Sequence, residues 1–466
     1  MIGFGGGSVL IPIIERELVL KNDAISEDDY LKHTVIANIT PGTLPVKLGA
    51  TCGQQLSGTC GSLLAAYGVA VPSVLITVLI MALFRLLGED VLEYFNYASV
   101  GISWFIIYLL SHYIIKTVAT GLPVRNLILC LTAFLVTGGK EVREIAGMLS
   151  GVHTSPLLDI STIDLMIVTL FLIAVKTISR TKTILFCAAG LGCVYVFLAG
   201  KWSKTCGLDI YKNWVLPAMV ILVCILFVRH GKAVQSKHIV LPSSVYRTML
   251  WFLIIPVVLT LASAILSQDF SFISFIVQVC VSTMTSFGGG EAYVSVADGI
   301  FVQGGYISPE AFYTRLLPVA NALPGPILVK IAAGIGFVYG YQIQPVFGWV
   351  MALAATTASI GACSAIAVLL IHIYDNIRES ELIKNLQRYI LSVICGMLIS
   401  TSCAMLYESM KITAEKGIGS ALLIIVSVIT VGLLFLINKR KHINDLIWIL
   451  ALSIFSTAGI IGLTVI

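Results

Sequence analysis

The sequence predicts an all-α polytopic membrane protein made of two homologous, inverted repeats with broken helices. Three observations lead to this prediction: the composition, a succession of apolar runs, and an internal repeat. Of the 466 residues, 58% are apolar and only 11% are charged, whereas a soluble protein needs about a quarter of its residues charged. The composition therefore excludes a soluble enzyme, a nucleic-acid-binding protein and a disordered scaffold.

The apolar runs indicate the number of membrane segments, since a helix needs about 20 residues to cross the hydrocarbon layer. The sequence contains about 15 such runs. Several of them, especially 34–52 and 126–138, fit re-entrant segments as well as crossings, so we expect about 11 to 15 membrane segments. The runs lie near residues 2–14, 34–52, 59–87, 98–118, 126–138, 160–178, 183–200, 214–228, 248–266, 270–302, 315–340, 345–374, 389–408, 418–437 and 444–466.

Basic residues concentrate in a few of the loops between these runs. They cluster near 176–182, 229–247 and 439–441, and again near Arg388. Because cytoplasmic loops of membrane proteins carry the excess of Lys and Arg, we place these loops on the cytoplasmic side.

An internal repeat divides the chain. After a shift of 283 residues, Phe4–Gly7 matches Phe287–Gly290, and eight of the 17 positions in the window 37–53 are identical. Ile25–Ser26 matches Ile307–Ser308 after a one-residue slip. Such self-similarity indicates duplication of one unit. We assign the first repeat to 1–158, connecting membrane segments with a basic loop to 159–247, and the second repeat to 248–466.

The number of segments between the copies predicts their relative orientation. The two glycine runs fall in the first and the tenth apolar segments, and this odd separation places the copies in opposite orientations. Inverted repeats are the construction of many secondary transporters, whose substrate sites lie near the bilayer midplane where the repeats meet.

The glycine runs form the first kind of helix break, and Gly6 and Gly289 stand inside them. Each glycine costs a helix about 1 kcal/mol relative to alanine. The runs fit close packing between helices, or a break that turns free backbone N–H groups toward a ligand. Because both copies keep the run beside a second break, we favour the ligand interpretation.

The second break is a Pro-Gly segment that opens with an asparagine, Asn38 in the first copy and Asn321 in the second. Proline removes a backbone donor and blocks the preceding turn, so each segment should split into two half-helices around Gly42 and Gly325. The half-helix after each glycine presents unpaired N–H groups and the positive end of its dipole. This geometry favours an anion.

A lysine follows each Pro-Gly pair inside the apolar run: Lys47 in the first copy and Lys330 in the second. A lysine at the centre of a membrane helix costs about 2.5 to 3.5 kcal/mol on insertion scales. Both lysines are candidates for binding an anionic substrate. The alternative is structural, a lysine that reaches the interface or pairs with a buried carboxylate such as Glu291.

Carboxylates follow the second glycine run. Glu291 and Asp298 are seven residues apart and share one helix face. In the first copy Ser8 replaces Glu291, while Glu15 corresponds to Asp298. Glu291 is a candidate for coupling to protons, and the alternative is an ion pair with Lys330.

Two pairs of glycines with small-xxx-small spacing, Gly49/Gly53 and Gly336/Gly340, predict tight helix crossings. The sequence lacks the common nucleotide-binding loop, zinc-protease and serine-hydrolase motifs. We therefore expect no enzyme activity, no metal and no cofactor.

These motifs together resemble the chromate ion transporter family. The family's repeating domain has a Phe-Gly-Gly run, a Ser-acidic turn and an Asn-x2-Pro-Gly-Pro segment. They match Phe4–Gly7, Ile25–Glu27 and Asn38–Thr43 here, and the corresponding residues of the second copy, with Thr43 in place of the final proline. The resemblance covers most of 1–90 and 270–375 and fits the long, two-domain form. It implies a multi-pass protein of the inner cell membrane that transports chromate, with sulfate as a competing or related anion.

The sequence thus predicts a secondary transporter of a small oxyanion, chromate or sulfate, working by alternating access. The candidate substrate-binding residues are Lys47, Lys330, Asn38, Asn321, Gly42, Gly325, Gly6 and Gly289, with Glu291 for coupling. The alternative functions are an anion channel or a transporter of another small anion. The expected partners are the anion and the lipid bilayer, without nucleic acid, and the sequence leaves a homodimer open.

Overall fold

The computed structural model describes residues 10–87, 89–120, 122–151, 160–179, 181–200, 203, 206–230, 242–287, 290–373, 381–440 and 445–465. These residues are helical apart from short turns, and they contain no strand. The helices are α1 (Leu10–Glu15), extended by a π-helical turn (Arg16–Lys21); α2 (Glu27–Ile39); α3 (44–56); α4 (59–86); α5 (Glu89–Val118); α6 (Pro123–Thr137); α7 (Gly139–Ser150); α8 (Thr162–Ile178); α9 (Lys182–Ala199); α10 (Lys212–His230); α11 (Ser243–Ser267); α12 (Ser271–Thr285); α13 (Gly290–Ala297), extended by a π-helical turn (Asp298–Val302); α14 (Leu317–Ala322), preceded by a π-helical turn (Ala311–Leu316); α15 (Ile327–Tyr341); α16 (Pro345–His372); α17 (Glu381–Ala414); α18 (Ser420–Arg440); and α19 (Asp445–Val465).

Helices α3 and α4 form an antiparallel hairpin, although their hydrogen bonding is nearly continuous over Leu44–Leu86. The backbone reverses at Ser57 and Gly58, where φ of Gly58 is 58° and ψ is −142°. A straight helix of 43 residues would be about 65 Å long, twice the hydrocarbon thickness. The reversal instead gives two arms, 44–56 and 59–86, of about 20 Å and about 42 Å.

The small-xxx-small glycines hold this hairpin and its counterpart together. A Cβ on Gly53 would lie 2.3 Å from the Gly61 carbonyl oxygen, and a Cβ on Gly340 would lie 2.3 Å from that of Phe347. In the first hairpin Ser62 also donates a hydrogen bond of 2.8 Å to the carbonyl of Ala50. The predicted tight crossings are confirmed, between α3 and α4 and between α15 and α16.

The two repeats fold alike in the described residues. Helices α1, α2, α3 and α4 correspond in order to α13, α14, α15 and α16, and a π-helical turn extends both α1 and α13. Ser26 accepts a hydrogen bond of 3.2 Å from the N–H three residues on, and Ser308 does the same. The one-residue slip in the sequence thus keeps the same N-terminal cap in both copies.

The chain divides into two compact units. The core unit comprises residues 1–112, 241–374 and 404–466, and the middle unit comprises 113–240 and 375–403. In the core unit α5 packs against α19, where a Cβ on Gly101 would lie 2.1 Å from the Leu452 carbonyl oxygen.

The middle unit has a hydrophobic core of its own, formed by α8, α9 and α10 with residues such as Val175 and Tyr195. Near one end of this core the buried Asp164 pairs with Lys212 at 2.7 Å and accepts a hydrogen bond from Tyr195. A buried carboxylate without such partners would be strongly destabilising.

The predicted fold class is confirmed. Among the described residues, nine helices are long and apolar enough to cross a membrane, with Leu44–Leu86 counted as one, and four shorter apolar helices accompany them. The protein is therefore an all-α, multi-pass membrane protein with two homologous, broken-helix repeats.

Candidate functional site

Both predicted Pro-Gly breaks are present as turns between half-helices. The first Pro-Gly turn, residues 40–43, separates α2 from α3, and the second, residues 323–326, separates α14 from α15. Gly42 has φ of 94° and Gly325 has φ of 109°. Side chains rarely tolerate this conformation, so each turn requires glycine.

Each Pro-Gly turn packs against elements of the other repeat. The Gly42 N–H donates a hydrogen bond of 2.7 Å to the carbonyl of Ser286, at the end of α12. A Cβ on Gly42 would lie 2.3 Å from Cβ of Cys363 on α16, and a Cβ on Gly325 would lie 2.5 Å from Oγ of Ser73 on α4. The breaks are therefore part of the interface between the repeats, which is where transporters of this construction bind their substrates.

The half-helices that follow the turns begin in buried surroundings without a side-chain cap. Thr43 precedes α3 and Pro326 precedes α15, and neither side chain accepts a hydrogen bond from the helix. Val46 and Val329, in the first turns, are fully buried. A buried helix start without partners for its first N–H groups is uncommon, and an anion is the ligand that such a start favours.

The two predicted lysines occupy equivalent positions, in the first turn of α3 and in the first turn of α15. Lys47 is 1% exposed and Lys330 is 0% exposed. Lys47 Nζ donates a hydrogen bond of 2.6 Å to the carbonyl of Thr40, and Lys330 Nζ donates one of 2.5 Å to that of Leu323. Both carbonyls end the half-helix before the turn, where a cation complements the helix dipole. Each ammonium group therefore bridges a helix break.

No carboxylate pairs with either lysine among the side chains that the structure describes. Lys330 gains a second carbonyl, that of Ala320, and Lys47 interacts electrostatically with the buried thiol of Cys363. Carbonyls and a neutral thiol carry no net charge. The positive charges of the two turns are thus uncompensated in the described part of the site.

Two hydroxyl groups near the first Pro-Gly turn lack hydrogen-bond partners. Ser286 is fully buried, and its Oγ contacts no described donor or acceptor. The hydroxyl of Tyr67 is likewise buried and unpartnered, and Tyr67 interacts electrostatically with Cys363 beside the turn. A buried hydroxyl without a partner costs about 1 to 3 kcal/mol, so such groups usually serve a ligand or water.

The asparagines and acidic residues that the sequence singled out have different surroundings. Asn38 is exposed and Asn321 half-buried, and each side chain donates to the carbonyl one turn earlier, that of Thr34 or Leu317. Asp298 is buried at the start of the π-helical turn after α13. The predictions for Gly6, Gly289 and the side chain of Glu291 lie outside the described residues.

Sequence reasoning missed Ser286, Cys363, Tyr67 and Ser73. Ser286 directly precedes the second glycine run, and this position was a signal that could have identified it. The other three lie within continuous apolar helices. Packing of one repeat against the other brings Cys363 to the first turn and Ser73 to the second, and Tyr67 interacts with Cys363. In the described residues no group of His, Cys, Asp and Glu side chains could hold a metal ion.

Comparisons with known proteins agree with this architecture. The model of the chromate transporter family matches residues 1–277 and again 273–460. Among curated proteins, the uncharacterized transporter YwrB of Bacillus subtilis is 34% identical over 90 residues, 19% of this chain and 46% of that protein. A probable chromate transport protein of Synechococcus elongatus is 30% identical over 152 residues, 31% of this chain and 38% of that protein.

The uncharacterized transporter YwrA of Bacillus subtilis is 29% identical over 85 residues, 18% of this chain and 48% of that protein. The chain spans less than half the length of each of these relatives. No solved structure matches the chain. Because the family model matches both repeats and nearly the whole sequence, the chain belongs to the chromate transporter family.

Proposed function

We propose that the protein is a secondary transporter of a small oxyanion, chromate or sulfate, in the inner cell membrane. The observation that carries the proposal is the repeated pairing of a buried, uncapped helix start with a buried lysine that lacks a described acidic partner. Each repeat supplies one such pair. A dianion needs this combination of positive charge and directed N–H groups.

The proposed site is built around the two Pro-Gly turns. The oxyanion accepts hydrogen bonds from N–H groups at the start of α3 and of α15, and it balances the charges of Lys47 and Lys330. At the first turn, the unpartnered hydroxyls of Ser286 and Tyr67 are further donors. Gly42 and Gly325 shape the turns and hold the half-helices in place.

Contacts between the repeats support alternating access as the mechanism. Each Pro-Gly turn lies against a long helix of the opposite repeat, α16 or α4. A rocking motion of one inverted repeat against the other would therefore act directly on the turns. The side chain of Glu291 is the proposed coupling group, with a proton as the coupling ion.

The test is uptake of labelled chromate and sulfate into proteoliposomes by the full chain and by Lys330→Met. Loss of uptake is expected because the substituted site lacks one of its two cations. Lys182→Met, an exposed lysine at the start of α9, is the matched control and should transport normally. Wild-type uptake by a correctly folded Lys330→Met protein would contradict the proposed site.

Lys330 also caps the helix before its turn, so the test needs a variant that preserves this contact. Lys330→Arg keeps a positive charge beside the Leu323 carbonyl but changes the geometry of its donors. We expect Lys330→Arg to fold and to show weaker binding of the oxyanion. Unchanged affinity in this variant would show that the site needs the positive charge and not the donor geometry of the ammonium group.

Accumulation distinguishes a transporter from an anion channel, which would use the same helix dipoles. Uptake is measured with and without an imposed pH gradient, in wild type and in Glu291→Gln. A proton-coupled transporter concentrates the anion inside the vesicles, and Glu291→Gln abolishes the accumulation. Equilibration without accumulation under either condition would favour a channel.

A further inference from the structure

A cationic cluster in the middle unit joins α6, α8 and α17. The guanidinium carbon of Arg125 lies 5.1 Å from the ring centre of Tyr389, and Nζ of Lys176 lies 4.3 Å from the same centre. Lys176 also donates a hydrogen bond to the Tyr389 hydroxyl. Arg388, the preceding residue, is exposed and interacts electrostatically with the same ring.

These three cations have no carboxylate partner in the described residues. Arg125 donates instead to the neutral amide oxygen of Asn126, at 2.8 Å. Like charges that converge on one ring repel each other. Arg125 also stands in the first turn of α6, where the helix dipole disfavours a cation. An external anion would compensate this unfavourable arrangement.

An apolar groove of about 420 Å³ adjoins the cluster at the start of α6. Arg125 lines one part of it, and the other lining side chains are aliphatic. Val124 and Ile128 are 71% and 59% exposed, so the groove is open toward the surroundings of the helix. A ligand that fits both features has a negative head and an apolar tail. The lining residues are Leu122, Pro123, Val124, Arg125, Ile128 and Leu129.

The distribution of basic residues indicates which leaflet the cluster faces. The loops beside Lys176 and Arg388 belong to the basic loops that the positive-inside rule places in the cytoplasm. The cytoplasmic leaflet carries anionic lipids, and basic pockets between membrane helices on this side bind their headgroups.

We propose that Arg125, Lys176 and Arg388 bind the phosphate of an anionic phospholipid, whose acyl chain lies in the groove along α6. Tyr389 holds the cations in position, because Lys176 donates to its hydroxyl and Arg125 lies against its ring. The site belongs to the middle unit and does not depend on the proposed function of the Pro-Gly turns.

The experiment titrates the purified full chain in detergent with phosphatidylglycerol or phosphatidylcholine. Thermal unfolding measures the stabilisation by each lipid, and native mass spectrometry measures the amount of bound lipid. Phosphatidylglycerol should raise the unfolding midpoint more than phosphatidylcholine does. Arg125→Gln combined with Lys176→Gln should weaken phosphatidylglycerol binding about 25-fold. Lys439→Gln, which removes an exposed cation from the end of α18, should bind like wild type.

Further variants separate loss of folding from loss of binding. Arg125→Lys keeps the charge and should retain most of the affinity, and Lys330→Met should bind the lipid like wild type because its substitution lies in the other unit. Inorganic phosphate should not reproduce the shift, because it lacks the acyl chain. Equal shifts with both lipids, an unchanged affinity in the double variant, or a full shift with inorganic phosphate would overturn the proposal.

Discussion

Substitution of Ser286 by alanine should lower the affinity for the substrate without lowering the stability of the substrate-free protein. Ser286 is fully buried at the end of α12, and its hydroxyl has no partner among the described residues. Its carbonyl accepts the hydrogen bond from Gly42 that joins the two repeats. Ser286→Ala keeps that backbone bond and removes only the hydroxyl.

The expected magnitudes follow from the surroundings of this hydroxyl. Leaving a buried hydroxyl unsatisfied costs about 1 to 3 kcal/mol, so its removal should leave the substrate-free protein as stable as wild type or up to about 1 kcal/mol more stable. A hydrogen bond to a charged ligand contributes about 1.5 to 3 kcal/mol. The affinity for chromate or sulfate should therefore fall about 10- to 150-fold.

Thermal unfolding at increasing oxyanion concentration measures both quantities, because a ligand that binds only the folded state stabilises it by RT ln(1 + c/Kd), where c is the free ligand concentration. Ser263→Ala is the matched control. Ser263 is equally buried, but its hydroxyl donates to the carbonyl of Leu259 on its own helix, at 2.6 Å. Wild-type affinity in Ser286→Ala, or a large loss of stability in the absence of substrate, would contradict a function of the Ser286 hydroxyl as a free donor to the substrate.

Three further predictions concern stability, each measured as an unfolding midpoint in detergent. Gly42→Ala should lower the free energy of unfolding by about 1 to 2 kcal/mol because of its positive φ, and by about 1 to 3 kcal/mol more because the new Cβ would clash with α16. Gly417 has φ of 75° but no atom near the position of a Cβ, so Gly417→Ala should show only the loss due to φ. Lys212→Met should cost about 1 to 3 kcal/mol, because Asp164 stays buried and keeps only neutral partners; an unchanged midpoint would contradict this. The hydrogen bond from Lys32 lowers the pKa of Asp29, so Asp29→Asn should destabilise the protein at neutral pH, and its difference from wild type should vanish as the pH falls through the lowered pKa.

Much of the fold could be predicted from the sequence because the repeat constrains it. A shift of 283 residues aligned both breaks, and a one-residue slip paired Ser26 with Ser308, which the structure shows to be equivalent helix caps. The π-helical turns after α1 and α13 could not be predicted, since an extra residue within a helical turn leaves no signature in hydrophobic periodicity.

The site was predictable only where its residues lie close together in the sequence. Gly42 and Lys47 belong to one short motif, and in the structure Lys47 donates back to the turn that contains Gly42. Cys363 and Tyr67 come from other helices, in which they resemble ordinary packing residues. Tyr67 and Cys363 come close to each other only because the two repeats pack together, and the local sequence around either residue does not predict this packing.

The structural contacts of the lysines are compatible with binding an anion. An ammonium group has three N–H donors and no acceptor. Lys47 donates to one carbonyl and Lys330 to two, so each retains a donor that no described group satisfies. Carbonyl oxygens orient an ammonium group without neutralising its charge, so the charge still attracts an anion. Each lysine can therefore donate to the carbonyls of its turn and bind the proposed oxyanion at the same time. A change in the geometry of the turn would alter both interactions together.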